Sequence, residues 1–257
     1  MEIIQALPAF LLVLVRLTCF FLTAPVFSYR TIPAPFKIGL AGVFAYLITL
    51  TLDPAQFMIN SHYALLVLKE ATVGLTLGFM AGLLFYAVYT AGSFIDLQMG
   101  LSIANLIDPN SGVATPLTGQ FLYIIMMVFL FTVDAHHMLL NGIFYSFQML
   151  PLDQLSLRFD GGVVHEMVLV FVKMFAISFQ MALPIVGSLF LVDLAVGIMS
   201  RAVPQLNVFV VGLPLKIGVG LVILFILIPL YVIIFREIFQ SSTDLLHELM
   251  TLLGSSP

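Results

Sequence analysis

The sequence predicts an all-α integral membrane protein made of kinked and broken helices and helical hairpins. Three observations predict it. Of 257 residues, 61% are hydrophobic and 9% charged, with a mean hydropathy of +1.17, against about 25% charged residues in soluble domains. Ala71 to Ile95 and Pro109 to Val133 each hold 25 residues with no ionisable side chain except tyrosine, and a bilayer-spanning helix needs about 20. Apolar blocks recur along the whole chain between short connections, none long enough for a soluble domain. The net charge of −4 gives no basic surface for nucleic acid.

The blocks run in order over 3–27, 36–52, 63–92, 117–150, 167–200 and 206–239. In the first, Glu2 stands where a signal peptide would be basic and no small-residue cleavage site follows Phe27, so the segment is expected to be retained. Prolines interrupt the pattern: Pro8 and Pro25 in the first block, Pro184 in the fifth, Pro204 before the last, and Pro214 and Pro229 inside it. Each removes a backbone donor, and broken helices at membrane depth persist only where they are buried in protein or line a cavity. Arg30 and Lys37 flank one loop and Arg236 lies near the C-terminus, which places that terminus in the cytoplasm. Beyond Arg236, residues Phe235, Ile238, Phe239, Leu245, Leu246, Leu249, Met250 and Leu253 form an apolar stripe beside Glu237, Asp244, His247 and Glu248. Such a tail helix lies on the headgroups or docks on a partner subunit; its acidic polar face favours the partner.

Ionisable residues inside apolar blocks are Arg16, Lys69, Glu70, Lys173, Asp193 and Lys216. Each would cost roughly 2.5 to 3.5 kcal/mol facing lipid at the bilayer centre. Lys69, Glu70, Lys173 and Asp193 are therefore expected to be buried. Neighbours such as Lys69 and Glu70 point about 100° apart on a helix, so each is expected to need its own partner on another helix or chain. Structural pairing outweighs a proton relay, since no run of closely spaced carboxylates marks one. Gly74, Gly78 and Gly82 repeat every four residues and make a ridge for close backbone approach. Asp134, His136 and His137 supply at most two well-placed ligands where a divalent ion takes three or four, so no metal site is expected. Cys19 is the only cysteine and excludes an intramolecular disulfide. Without a nucleophile-elbow or phosphate-loop pattern, neither an enzyme nor a cofactor site is indicated.

Three stretches carry a resemblance: GSFIDLQMGLSIANLIDPNSGVATPLTGQ from Gly92, DAHHMLLNGIFYSFQMLP from Asp134, and SRAVPQLNVFVVGLPLKIGVG from Ser200. Together they resemble the FliR family, called SctT in virulence systems, whose members are export-gate subunits of bacterial type III secretion. The most specific part is Arg201, Pro204, Gln205, Asn207 and Phe209, followed by Gly212, Pro214 and Lys216; Ala135 stands where glycine is more usual. The resemblance implies one FliR-type membrane domain over 1–257, with a FliP-like portion over 1–165. A FliQ-like hairpin with the amphipathic tail would follow over 166–257. It implies FliP, FliQ and FlhB as partners in the inner membrane, unfolded substrates in transit, and much of the complex on the exterior side of the membrane. A flagellum and an injectisome both remain open, the flagellar branch being favoured.

Within that frame, Asn105 to Gly119 is expected to be the plug that closes the channel at rest. Asp108, Pro109, Asn110, Ser111 and Gly112 make a strong turn signal, Thr115 belongs to the same loop, and Pro116 and Gly119 keep the following stretch from one helix before Phe121. Arg201 to Lys216 is expected to join the last hairpin, Arg201 pairing with a carboxylate or carbonyl of a neighbouring subunit. A small secondary transporter is the alternative, and it predicts two related halves, which the sequence does not show.

Overall fold

The computed structural model describes the chain except residues 1, 30–31, 52–61, 103–115, 155–160, 204–206 and 255–257, and the side chains of 2–5 and 208. Among the described residues every regular element is helical: α1 (Glu2–Thr23), α2 (Ala34–Thr49), α3 (Tyr63–Met99), α4 (Leu117–Thr132), α5 (Ala135–Met149), α6 (Gly161–Ala202) and α7 (Val208–Gly254). The chain is thus an all-α membrane protein with several helices apolar enough to cross a bilayer.

Local chemistry explains most boundaries. Pro33 in an extended conformation precedes α2, and Pro35 follows in its first turn, where a missing donor costs nothing. Beyond α1, Val26 turns the chain with φ 74°. The 117–150 block is two helices rather than one, because Asp134 adopts the left-handed conformation with φ 55° and ψ 23°. An aspartate tolerates that conformation better than its apolar neighbours would. Prolines 8, 184, 214 and 229 lie inside α1, α6 and α7 without ending them. The third block also continues past Gly92 to Met99, where Gly100 with φ 83° ends it and Leu101 N–H bonds Asp96 O at 3.0 Å.

The helices sort into two compact units. The first comprises Met1–Leu84, Val133–Phe171 and Phe239–Pro257. Its core includes Leu12, Leu17, Phe20 and Phe21 of α1, Leu77 and Met80 of α3, and Leu139 and Ile143 of α5. Phe44 of α2 joins them, its ring edge-on to Phe21 at 6.4 Å and to Phe144 at 5.6 Å. The second comprises Phe85–Thr132 and Val172–Ile238. Its core holds Val88, Ile95 and Met99 of α3, Leu122 and Met126 of α4, Met181, Ile185 and Leu189 of α6, and Leu224 and Phe235 of α7.

The amphipathic tail is not a separate helix. It is the last third of α7, and Phe239, Leu245, Leu246, Leu249, Met250 and Leu253 are buried within the chain. Gly142 of α5 lies under Leu246, Tyr145 stacks on His247 at 5.1 Å, and Ser242 Oγ donates to Ala81 O of α3. The apolar stripe that suggested a headgroup surface or a second subunit is covered by α3 and α5 of the same chain.

A buried charge cluster and a polar belt as candidate functional sites

In the first unit the clustered charges begin with the glycine ridge. A Cβ on Gly74 would overlap the carbonyl oxygen of Arg16, and one on Gly78 would lie 2.7 Å from Phe20 O and 3.0 Å from Ala24 N. The backbone that approaches the ridge is α1 of the same chain, and Gly82 is buried one turn further on. This closeness brings Arg16, fully buried, onto Glu70, one turn before Gly74.

Arg16 spends its donors on fixed partners. Nε bonds the Glu70 carboxylate, Nη1 donates to Ser146 O at 2.9 Å and Oγ at 3.1 Å, and Nη2 donates to Leu150 O at 2.8 Å. The guanidinium also lies over the Phe147 ring, 4.2 Å from its centroid. Lys69 bonds Pro151 O and stands 2.9 Å from the other Glu70 oxygen. Adjacency on the helix therefore does not keep Lys69 and Glu70 apart, because the long lysine stem bends round to reach the carboxylate. Two cations thus meet the carbonyl end of α5, where the helix dipole favours positive charge, and one carboxylate compensates them. The cluster joins α1, α3 and α5 through the hydrogen bonds of Arg16 and Lys69.

In the second unit, Asp96 plays the corresponding part. Its buried carboxylate accepts from Thr118 N–H at 3.2 Å and from the Thr118 hydroxyl, capping the first turn of α4. Beside it a Cβ on Gly92 would overlap the Gly119 backbone, so α3 and α4 cross at nearly backbone contact. Pro116 and Gly119 were expected to keep this stretch non-helical, yet α4 starts at Leu117 and Pro116 O accepts from Gln120 N–H at 2.8 Å. The cap and the glycine crossing supply what the sequence reading lacked. Asn105, Asp108, Pro109, Asn110, Ser111, Gly112 and Thr115 lie outside the described residues.

Asp193 and Lys173 are exposed on α6 instead of buried, since α6 carries apolar residues on all sides and hydropathy does not say which side faces inward. Asp193 pairs with Lys216 of α7 at 3.0 Å and accepts from Gln98 of α3 at 3.0 Å. Asp193 and Lys216 line a cleft of about 550 Å³ with Leu97, Gly100, Val196 and Phe209. Arg201 is exposed in the last turn of α6, where its charge complements the carbonyl end. Asn207 caps α7, its Oδ1 accepting from Phe209 N–H at 3.1 Å. Gly212 is buried, Pro214 lies inside α7, and Pro204 and Gln205 fall outside the described residues. Asp134, His136 and His137 come closer than the sequence suggested, with one ligand atom from each within 4.8 Å of the others, two of the three residues being exposed.

A model of the bacterial export proteins, family 1, matches residues 7–242. The chain belongs to that family. It is 48% identical to a flagellar biosynthetic protein FliR of Bacillus subtilis over 99% of both chains, and 32% identical to that of Escherichia coli over 92% of both. A Yop proteins translocation protein T of Yersinia pestis is 31% identical over 63% of this chain and 62% of its own. Within the export family, then, this member is a membrane-embedded component of a bacterial protein export apparatus. The sequence reading named Arg16 and the ridge glycines but gave no weight to Asp96, Thr118 or the Gly92–Gly119 crossing. Gly92 stands ten residues beyond Gly82 on α3 and Gly119 is the glycine of α4, so the spacing does not mark the crossing. Asp96 lay in what read as a loop.

Proposed function

We propose that the chain is a non-enzymatic subunit of the flagellar type III export gate in the bacterial inner membrane. With FliP and FliQ, and beside FlhB, it would form the channel for unfolded flagellar proteins. The observation that carries this reading is the end-to-end likeness to a flagellar FliR, 48% over 99% of both chains. The division into a FliP-like portion (1–165) and a FliQ-like hairpin (166–257) belongs to the same proposal. So does an assembly role for the Arg201 to Lys216 stretch. Co-expression with FliP and FliQ should give a stable complex of all three and restore motility to a strain lacking its own FliR. If the purified chain is instead a monodisperse monomer that exchanges small solutes across liposomes, it is a transporter.

The plug assignment rests on sequence: one charge in the fifteen residues Asn105 to Gly119, and a turn signal at Asp108 to Gly112. A pore wide enough for an unfolded chain dissipates the ion gradient if left open, so a weakly polar loop suits its seal. Deleting Pro109 to Thr115 from the assembled gate should raise ion conductance across the inner membrane and sensitise cells to bulky solutes. Intact assembly with no added leak would remove the plug and leave the subunit assignment standing.

A further inference from the structure

The first turn of α5 brings together Asp134, His136 and His137, which the charge cluster at the other end of that helix does not use. On a regular helix these positions would not converge, since neighbours point about 100° apart and residues i and i+2 about 200°. Asp134 stands just before α5 with φ 55° and ψ 23°, and this left-handed residue takes its side chain out of the helical register. Its carboxylate makes no capping bond to the first turn, although aspartate at this position ordinarily does. The main chain closes the turn instead, His137 N–H donating to Asp134 O at 3.0 Å. The two imidazoles lie with their centroids 4.2 Å apart and their planes inclined by 35°. One ligand atom from each of the three side chains then falls within 4.8 Å of the others. Among the described residues no other three histidine, cysteine, aspartate or glutamate side chains converge in this way.

Two imidazoles and a carboxylate are the donor set of a borderline divalent ion such as zinc, whereas magnesium and calcium take oxygen ligands. A tetrahedral ion with bonds of about 2.0–2.1 Å holds its ligand atoms about 3.3 Å apart. Rotamer adjustment at Asp134 and His137 closes the remaining gap, since both are exposed and free to turn toward His136. Three protein ligands leave a fourth position for water. The positive end of the α5 dipole works against a cation here, and the charge of the Asp134 carboxylate offsets it. Ordinary surface residues would behave otherwise: the aspartate would cap the helix, and the adjacent imidazoles would point apart.

We propose that Asp134, His136 and His137 form a site for one divalent cation of the zinc class, with water completing its coordination. The bound ion pins the start of α5, as Arg16 and Lys69 hold its carbonyl end. It also fixes the residue at which the apolar block over 117–150 is divided into two helices.

Full-length chain with an affinity tag free of histidine is stripped with EDTA and titrated with Zn²⁺ in detergent, binding being followed by calorimetry. It should take up one ion per chain, and Asp134→Asn and His137→Gln should each weaken that binding at least about tenfold. Asparagine tolerates the left-handed conformation at 134, so that variant keeps its turn. Mg²⁺ should give no saturable binding. A second measurement needs no variant. Zn²⁺ should slow the modification of His136 and His137 by diethylpyrocarbonate, mapped by mass spectrometry, and leave His62, His165 and His247 at their metal-free rates. Absence of saturable zinc binding overturns the proposal. Binding that either variant retains in full, or protection spread evenly over the five histidines, overturns it too and marks the zinc as adventitious. None of these readouts depends on FliP, FliQ or motility, so their failure leaves the subunit assignment untouched.

Discussion

Glu70→Ala should destabilise the first unit by about 3–5 kcal/mol, the cost of stranding a buried charge, and should do more harm than Arg16→Met. Arg16 makes more hydrogen bonds, yet Glu70 is the buried anion between two buried cations, with exposures of 0% for Arg16 and Glu70 and 5% for Lys69. Removing it leaves a buried guanidinium and ammonium close together, with the exposed Asp153 near Lys69 a weak substitute. Arg16→Met leaves the Lys69–Glu70 pair neutral and costs the unmet carbonyl of Leu150, about 1–3 kcal/mol, while Ser146 O keeps the Leu150 N–H at 2.9 Å. Adding Arg16→Met to Glu70→Ala should therefore recover part of the loss, a non-additivity read from thermal unfolding of the purified chain in detergent. Equal and additive costs for the two single variants would mean that the cluster is not held by charge balance.

The glycine ridge gives the second large effect. Gly74→Ala and Gly78→Ala should each destabilise the isolated chain by about 1–3 kcal/mol through overpacking, and leucine at either site by more. Gly74→Ala should be the costlier of the two, because its methyl group meets the backbone of Arg16 and pushes the guanidinium off Glu70. At Gly78 the first obstacle is the Thr23 hydroxyl, which can rotate, with Phe20 O at 2.7 Å behind it. Protease resistance and thermal unfolding of the chain without partners measure this. Unchanged stability alone, combined with lost co-purification of FliP or FliQ, would assign the ridge to a subunit contact instead.

The fold class was legible because hydropathy and charge-free length are properties of a stretch, and so were most helix positions. What one residue does between two stretches was harder to see. Asp134 breaks a continuous apolar block with a backbone conformation, and composition carries no sign of it. The glycine ridge announced close approach by its spacing, but not that α1 would be the neighbour of Gly74 and Gly78. The tail showed an apolar stripe, and a stripe does not say what covers it; α5 and α3 do. Lys69 and Glu70 were read as divergent from ideal helix geometry, which neglects the reach of a lysine. Lys173 and Asp193 were placed inside by hydropathy alone, on a helix apolar all round. Asp96 and Gly92 escaped notice since their partners lie on the next helix.

The bonds of Arg16 also set an order of events in synthesis. Glu70 follows it by 54 residues, Ser146 by 130 and Leu150 by 134. At about 5–20 residues per second, the last of these partners emerges on the order of ten seconds after Arg16 does. Throughout that interval α1 carries a guanidinium whose place does not yet exist, inside a segment otherwise apolar enough to enter the membrane at once. The place of Arg16 in α1 is thus completed only after α5 has been made.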